Sequence, residues 1–169
     1  MNWDALSAIG EIVGATGVIV TLVYLAIQIR QNTRASRVNA VQESMENSAR
    51  FSELLATNSD LLSLFTRGLV NPEELNADER RTFVSILNVF MRREAVAFYL
   101  YRNGTMPKEL WDARVAIFRG TLNQPGLKVY LAFSAETLPG EFRTFVEDVA
   151  AGASTLSEGA REFLTRRDP

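Results

Sequence analysis

The run from Ile12 to Ile29, IVGATGVIVTLVYLAIQI, constrains this chain more than any other feature. It holds 18 residues without a charge. At about 1.5 Å of rise per helical residue, it covers most of a bilayer hydrocarbon core of roughly 30 Å. A core helix of a water-soluble protein normally carries a polar stripe, whereas this run is apolar on nearly all sides. The expectation is one transmembrane helix over about Ala5 to Ile29. Trp3 and Glu11 lie near one end and Gln28 near the other, where polar and amphipathic groups reach the interface. No Lys or Arg precedes the run, and no Ala-x-Ala-like site with the right flanks follows it. It therefore reads as a retained anchor rather than a cleaved signal peptide. Asp4 and Glu11 precede the run, and Arg30, Arg34 and Arg37 follow it. The positive-inside rule then sets the N-terminus outside and the C-terminal domain in the cytoplasm.

Small residues within the run keep a regular period. Ser7, Gly10, Gly14, Gly17 and Thr21 recur at spacings of three and four, and Tyr24 and Gln28 extend the same stripe. In lipid, such a face lets two helix backbones approach closely, and a Gln can hydrogen-bond across the seam. The stripe predicts self-association or docking on another membrane protein. Glu11 sits beside it and reads as a hydrated end charge at headgroup level. The alternative is an oligomeric pore with Glu11 and Gln28 facing the lumen.

Beyond the run, the pattern is helical throughout. The fold expected is all-α: one N-terminal transmembrane helix continuing into a cytoplasmic helical bundle. Its parts are a membrane anchor over 1–30, a neck and first cytoplasmic helix over 31–57, a helical bundle over 58–151 and a weakly ordered tail over 152–169. Residues 30–56 contain no Pro or Gly, so the first helix runs on past the lipid, with a possible break near Thr33. Thr57-Asn58-Ser59-Asp60 stops one helix and starts the next. Asn71-Pro72 breaks that one, and Asn76-Ala77-Asp78-Glu79 has the form of a capping box. Asn103-Gly104, Gln124-Pro125-Gly126 and Leu138-Pro139-Gly140 divide the remainder, and Gly68, Gly104 and Gly120 read as helix ends.

The chain has neither Cys nor His. That excludes disulfides, thiol nucleophiles, Ser-His-Asp and Cys-His triads, and ordinary zinc or haem ligation. A net charge of −2 lacks the basic footprint that nucleic-acid binding needs. No metal or cofactor is expected.

One polar residue falls where the pattern demands an apolar one. Phe83, Leu87, Phe90, Phe98 and Tyr101 share a helical face, and Glu94 lies in its middle with Arg93 beside it. A buried carboxylate needs a partner, and Arg50, Arg67 and Arg114 are the candidates on other helices. The structural reading is a buried ion pair. The functional one is a general acid or base, or a hard-metal ligand, with Arg93, Glu94 and Tyr99 lining a pocket. Phe98, Tyr99, Tyr101 and Trp111 read as core aromatics rather than as a pocket wall.

The neck Leu22-Val23-Tyr24-Leu25-Ala26-Ile27-Gln28-Ile29-Arg30-Gln31-Asn32-Thr33 resembles that of a widespread group of uncharacterised bacterial single-span membrane proteins, which carry "LVYLAxQIRQNT" before a helical domain. Arg92-Arg93-Glu94-Ala95, Tyr99 and Tyr101-Arg102-Asn103-Gly104 are similar to a second block of that group. Leu110-Trp111, Pro125-Gly126 and Phe142 to Val146 fit later segments, so the resemblance extends to about Val149. It implies bacterial origin and an inner-membrane anchor, and carries over no activity, cofactor or catalytic residue. Three functional readings follow. The first is a membrane-anchored assembly or interaction module without catalytic activity, with the lipid bilayer and further copies or another membrane protein as its partners. The second is a membrane-tethered enzyme or small-molecule sensor built on Glu94. The third is the pore.

Overall fold

The computed structural model describes the backbone of residues 3–151 and the side-chain environments of residue 14 and residues 16–151. It is all-helical among the described residues, with six α-helices. These are α1 (Trp3–Thr57), α2 (Ser59–Val70), α3 (Ala77–Arg102), α4 (Lys108–Leu122), α5 (Pro125–Ser134) and α6 (Gly140–Ala151). Short 3-10 turns at Pro72–Glu74 and Ala135–Thr137 join α2 to α3 and α5 to α6. The chain divides into two units, Met1–Ala40 and Val41–Pro169.

The first unit is a single stretch of α1. The break expected near Thr33 does not occur. Instead, Thr33 Oγ1 donates to the Ile29 carbonyl at 2.9 Å, one turn back, as Thr21 Oγ1 does to Gly17 at 2.8 Å. These are local bonds that a Thr makes without leaving the helix. Val18, Ile19, Val20, Leu22, Val23 and Ile27 are all at least half exposed. Among the described residues no helix is long and apolar enough to cross a membrane. The expected span begins outside them: the side chains of Ser7, Gly10 and Glu11 are not among the described residues, and neither is the tail 152–169.

The second unit is a helical bundle built around α3. Asn76 caps this helix by accepting from the Asp78 and Glu79 amides. The Asn76 amide in turn donates to Glu79 Oε2 at 2.9 Å, closing a capping box. Gly104, at φ +64°, ends it in the left-handed region where a side chain is costly. Phe83, Leu87, Phe90, Met91, Ala97 and Phe98 of α3 are buried, and α2, α4, α5 and α6 each pack against it. Tyr130, Phe142, Leu122 and Leu127 complete the core from α4, α5 and α6.

Two glycines at helix ends or breaks serve a second purpose as well. Gly68 lies in the last turn of α2, as expected, and is buried. Gly126 lies in the first turn of α5, behind Pro125 at the first helical position. The two meet: a Cβ on Gly126 would stand 1.9 Å from the Gly68 carbonyl oxygen, and a Cβ on Gly68 would stand 2.5 Å from the Phe83 ring. Here α2 and α5 touch backbone to backbone.

Candidate functional site

The polar centre of the bundle unit is assembled by α1, α3 and α4. Glu94 points inward from the middle of α3 and is only 6% exposed. Arg114 of α4 grips it with two bonds, Nε to Oε2 at 2.7 Å and Nη2 to Oε1 at 3.2 Å. Arg93 closes on the other side, its Nη2 donating to Oε1 at 3.0 Å. Arg114 also donates through Nη1 to Ser48 Oγ of α1 at 3.1 Å, and Ser48 Oγ donates in turn to the Ser44 carbonyl at 2.9 Å. One carboxylate thus joins three helices through bidentate, charge-assisted geometry.

The balance of charge in this cluster is two cations to one anion. Burial pulls the Arg93 guanidinium below its ordinary range, and the adjacent Glu94 opposes that pull. Arg93 gains a second source of support from aromatic faces. Its guanidinium carbon lies 4.5 Å from the centre of the Phe51 ring and 5.2 Å from that of Phe90. Cation–π attraction of this kind offsets part of the desolvation cost. Among the described residues, two buried polar atoms nevertheless lack a hydrogen-bond partner, Arg93 Nη1 and Ser44 Oγ.

The sequence-predicted residues divide clearly on this site. Arg93 and Glu94 sit together, and of the three candidate partners Arg114 makes the pair. Arg67 instead pairs with Glu79 at 2.6 Å, and Arg50 makes no ion pair among the described residues. Tyr99 stays apart: it is half-buried, packs edge-on against Phe98 at 5.2 Å, and has no hydrogen bond to Glu94. Trp111 stacks on Tyr101 at 5.0 Å and belongs to the aromatic core with Phe98 and Phe145. Sequence reasoning missed Ser44, which is buried, and Ser48, which is half-buried and bonded to Arg114, since neither type nor spacing marks a serine for such a place. The exposed Asn88 adds a bond that no local pattern signals: its Oδ1 accepts from the buried Tyr130 hydroxyl at 2.6 Å.

The crevice bounded by Glu94, Trp111, Arg114, Val115, Phe118 and Phe145 leaves about 0 Å³ for water. Both Glu94 oxygens are already occupied by guanidinium donors. No group of three or more His, Cys, Asp and Glu side chains among the described residues converges on a metal-sized point. The arrangement can hold helices in register; it offers no open position to a substrate at the carboxylate.

In the first unit, Gly14 and Gly17 each have open space where a Cβ would project. Thr21 is tied to Gly17, and Gln28 Nε2 donates to the Tyr24 hydroxyl at 2.6 Å. Ser7 and Gly10 fall outside the described side chains. No protein-family model, no curated protein and no solved structure matches the chain.

Proposed function

We propose that this chain is a non-catalytic interaction module anchored in a bacterial inner membrane. Its N-terminal helix crosses the bilayer once with the N-terminus outside, and the bundle unit stands in the cytoplasm. The observation that carries this reading is the bare apolar surface of α1. Nine large apolar or aromatic side chains between Val18 and Ile29 are 48–66% exposed. A contiguous apolar surface of that kind marks a membrane or protein contact. The described part, residues 16–29, spans about 21 Å at 1.5 Å per residue. Adding residues 12–15, all uncharged, brings it near the roughly 30 Å of a hydrocarbon core. The resemblance of the Leu22–Thr33 neck to bacterial single-span proteins supports the same reading, and Arg30, Arg34 and Arg37 support the orientation.

The small-residue face of Ser7, Gly10, Gly14, Gly17 and Thr21, extended by Gln28, is proposed as the seam for self-association. Open space at Gly14 makes a decisive variant available, Gly14→Leu, because a Cβ added there has nothing within 4 Å among the described residues. Native mass spectrometry of the full-length protein in mild detergent tests the seam. Wild type should appear as a defined oligomer and Gly14→Leu as a smaller species. An identical copy number for both would sink the seam.

A further inference from the structure

In the bundle unit, the C-terminal part of α1 and the middle of α3 line an open groove of about 520 Å³. Phe51 fills the base, touching Phe65, Phe90 and the Arg93 guanidinium. Leu54 on one wall and Val89 and Val96 on the other are 54%, 57% and 51% exposed. Their spacing is helical: Phe51 and Leu54 are three residues apart, and Val89 and Val96 are seven apart, so each wall is one stripe of its helix. Three arginines line the groove, Arg50, Arg92 and Arg93, and no acidic residue does. Arg50 and Arg92 are exposed and make no ion pair among the described residues. The third, Arg93, has a neighbouring acid in Glu94, but Arg114 shares that carboxylate, leaving the buried cluster one positive charge in excess.

This local surplus of cations stands out in a chain whose net charge is −2. It selects an anionic partner, and the apolar walls select one with an apolar stripe. We propose that this groove receives an amphipathic helix of a partner protein, with Asp or Glu flanking its apolar stripe. The contact length suits such a helix. Residues 44–54 of α1 and 88–96 of α3 give walls of about 15 and 12 Å, which is two to three helical turns. Two facing apolar stripes with cations beside them suit the helix-in-groove mode of recognition, in which apolar anchors enter the groove and rim charges fix register. The proposal rests on the interaction-module reading and names the chemistry of the partner.

The test uses the full chain in the membranes of the bacterium that makes it. A photo-crosslinking amino acid replaces Val96, an exposed groove residue with no polar role, and the residues it captures are mapped by mass spectrometry. The expected adduct lies on a segment of another protein whose helical projection pairs an apolar stripe with Asp or Glu. The double variant Arg50→Glu, Arg92→Glu, at two exposed and unpaired positions, should lower its yield by about tenfold or more through like-charge repulsion. Its thermal midpoint is checked to show that the bundle remains folded. Adducts on lipid, on a second copy of this chain, or on a segment without acids would overturn the proposal. So would an unchanged yield from the double variant, or no adduct at all. The copy number of the same preparation separates this outcome from the self-association reading: an acidic-helix adduct on a monomeric protein keeps the groove and discards the seam, and an oligomer without that adduct does the reverse.

Discussion

Deleting the Glu94 carboxylate strands two guanidinium groups in the interior, since Arg93 and Arg114 both close on it and are only 15% and 16% exposed. Breaking a buried pair from one side typically costs about 3–5 kcal/mol, because the remaining charge has lost its partner. Glu94→Ala should therefore lower the stability of the bundle by that order in urea denaturation, and an unchanged midpoint would refute the pairing. Ser44→Ala is the matched contrast. The Ser44 hydroxyl is buried without a partner, so its removal should leave stability unchanged or raise it. Glu79 carries a separate, pH-dependent contribution. The bond it accepts from Arg67, then the one it accepts from the Asn76 amide, hold its pKa below the ordinary 4.5. A depressed carboxylate stabilises the fold above its unfolded pKa and loses that contribution as pH falls through the folded value. Wild type should thus exceed Glu79→Gln in stability at neutral pH, and the gap should close as pH falls below about 4.5. A gap independent of pH would mean that the carboxylate charge is not what the fold uses.

At the scale of elements, the closest approach in the bundle is the crossing of α2 and α5 at Gly68 and Gly126. The atom that a Cβ on Gly126 would meet is a backbone oxygen, which cannot rotate aside as a side chain can. Gly126→Ala should force the helices apart and cost about 1–3 kcal/mol, in the range of overpacked cores. Gly140→Ala, at the start of α6 with nothing within 4 Å, should be neutral or slightly stabilising. Equal thermal midpoints for the two variants would contradict the crossing. Much of this layer was legible in the sequence. The stops at Asn58, Asn71-Pro72, Asn76 and Gly104 are local chemistry, and local chemistry decides caps. Glu94 stood out because a charge interrupting a 3.6-residue apolar period must be accommodated inside. What escaped is what depends on how helices cross. Nothing local distinguishes Gly68 as a contact from Gly68 as a terminus. Nothing local tells Arg114 from Arg50 or Arg67 as the partner of Glu94, and the burial of Ser44 and the bond from Arg114 to the half-buried Ser48 follow only from how the helices meet.

At the scale of the whole molecule, the two units place different demands on their surroundings. The bundle covers its own core: Leu87, Met91, Leu127 and Phe142 are fully buried. In the first unit, the described apolar side chains from Val18 to Ile29 are about half exposed or more, a surface of the kind that favours burial in lipid or against a partner. The proposed anchor in lipid would answer that demand, and the seam at Gly14 and Gly17 and the arginine-lined groove are proposed as the points where such an anchored protein meets others. The most direct test of the anchor is alkaline carbonate extraction of membranes from bacteria producing the full-length chain. Retention in the membrane pellet, alongside a known integral protein, is the predicted result. Release into the supernatant with peripheral proteins would contradict a helix that crosses the bilayer.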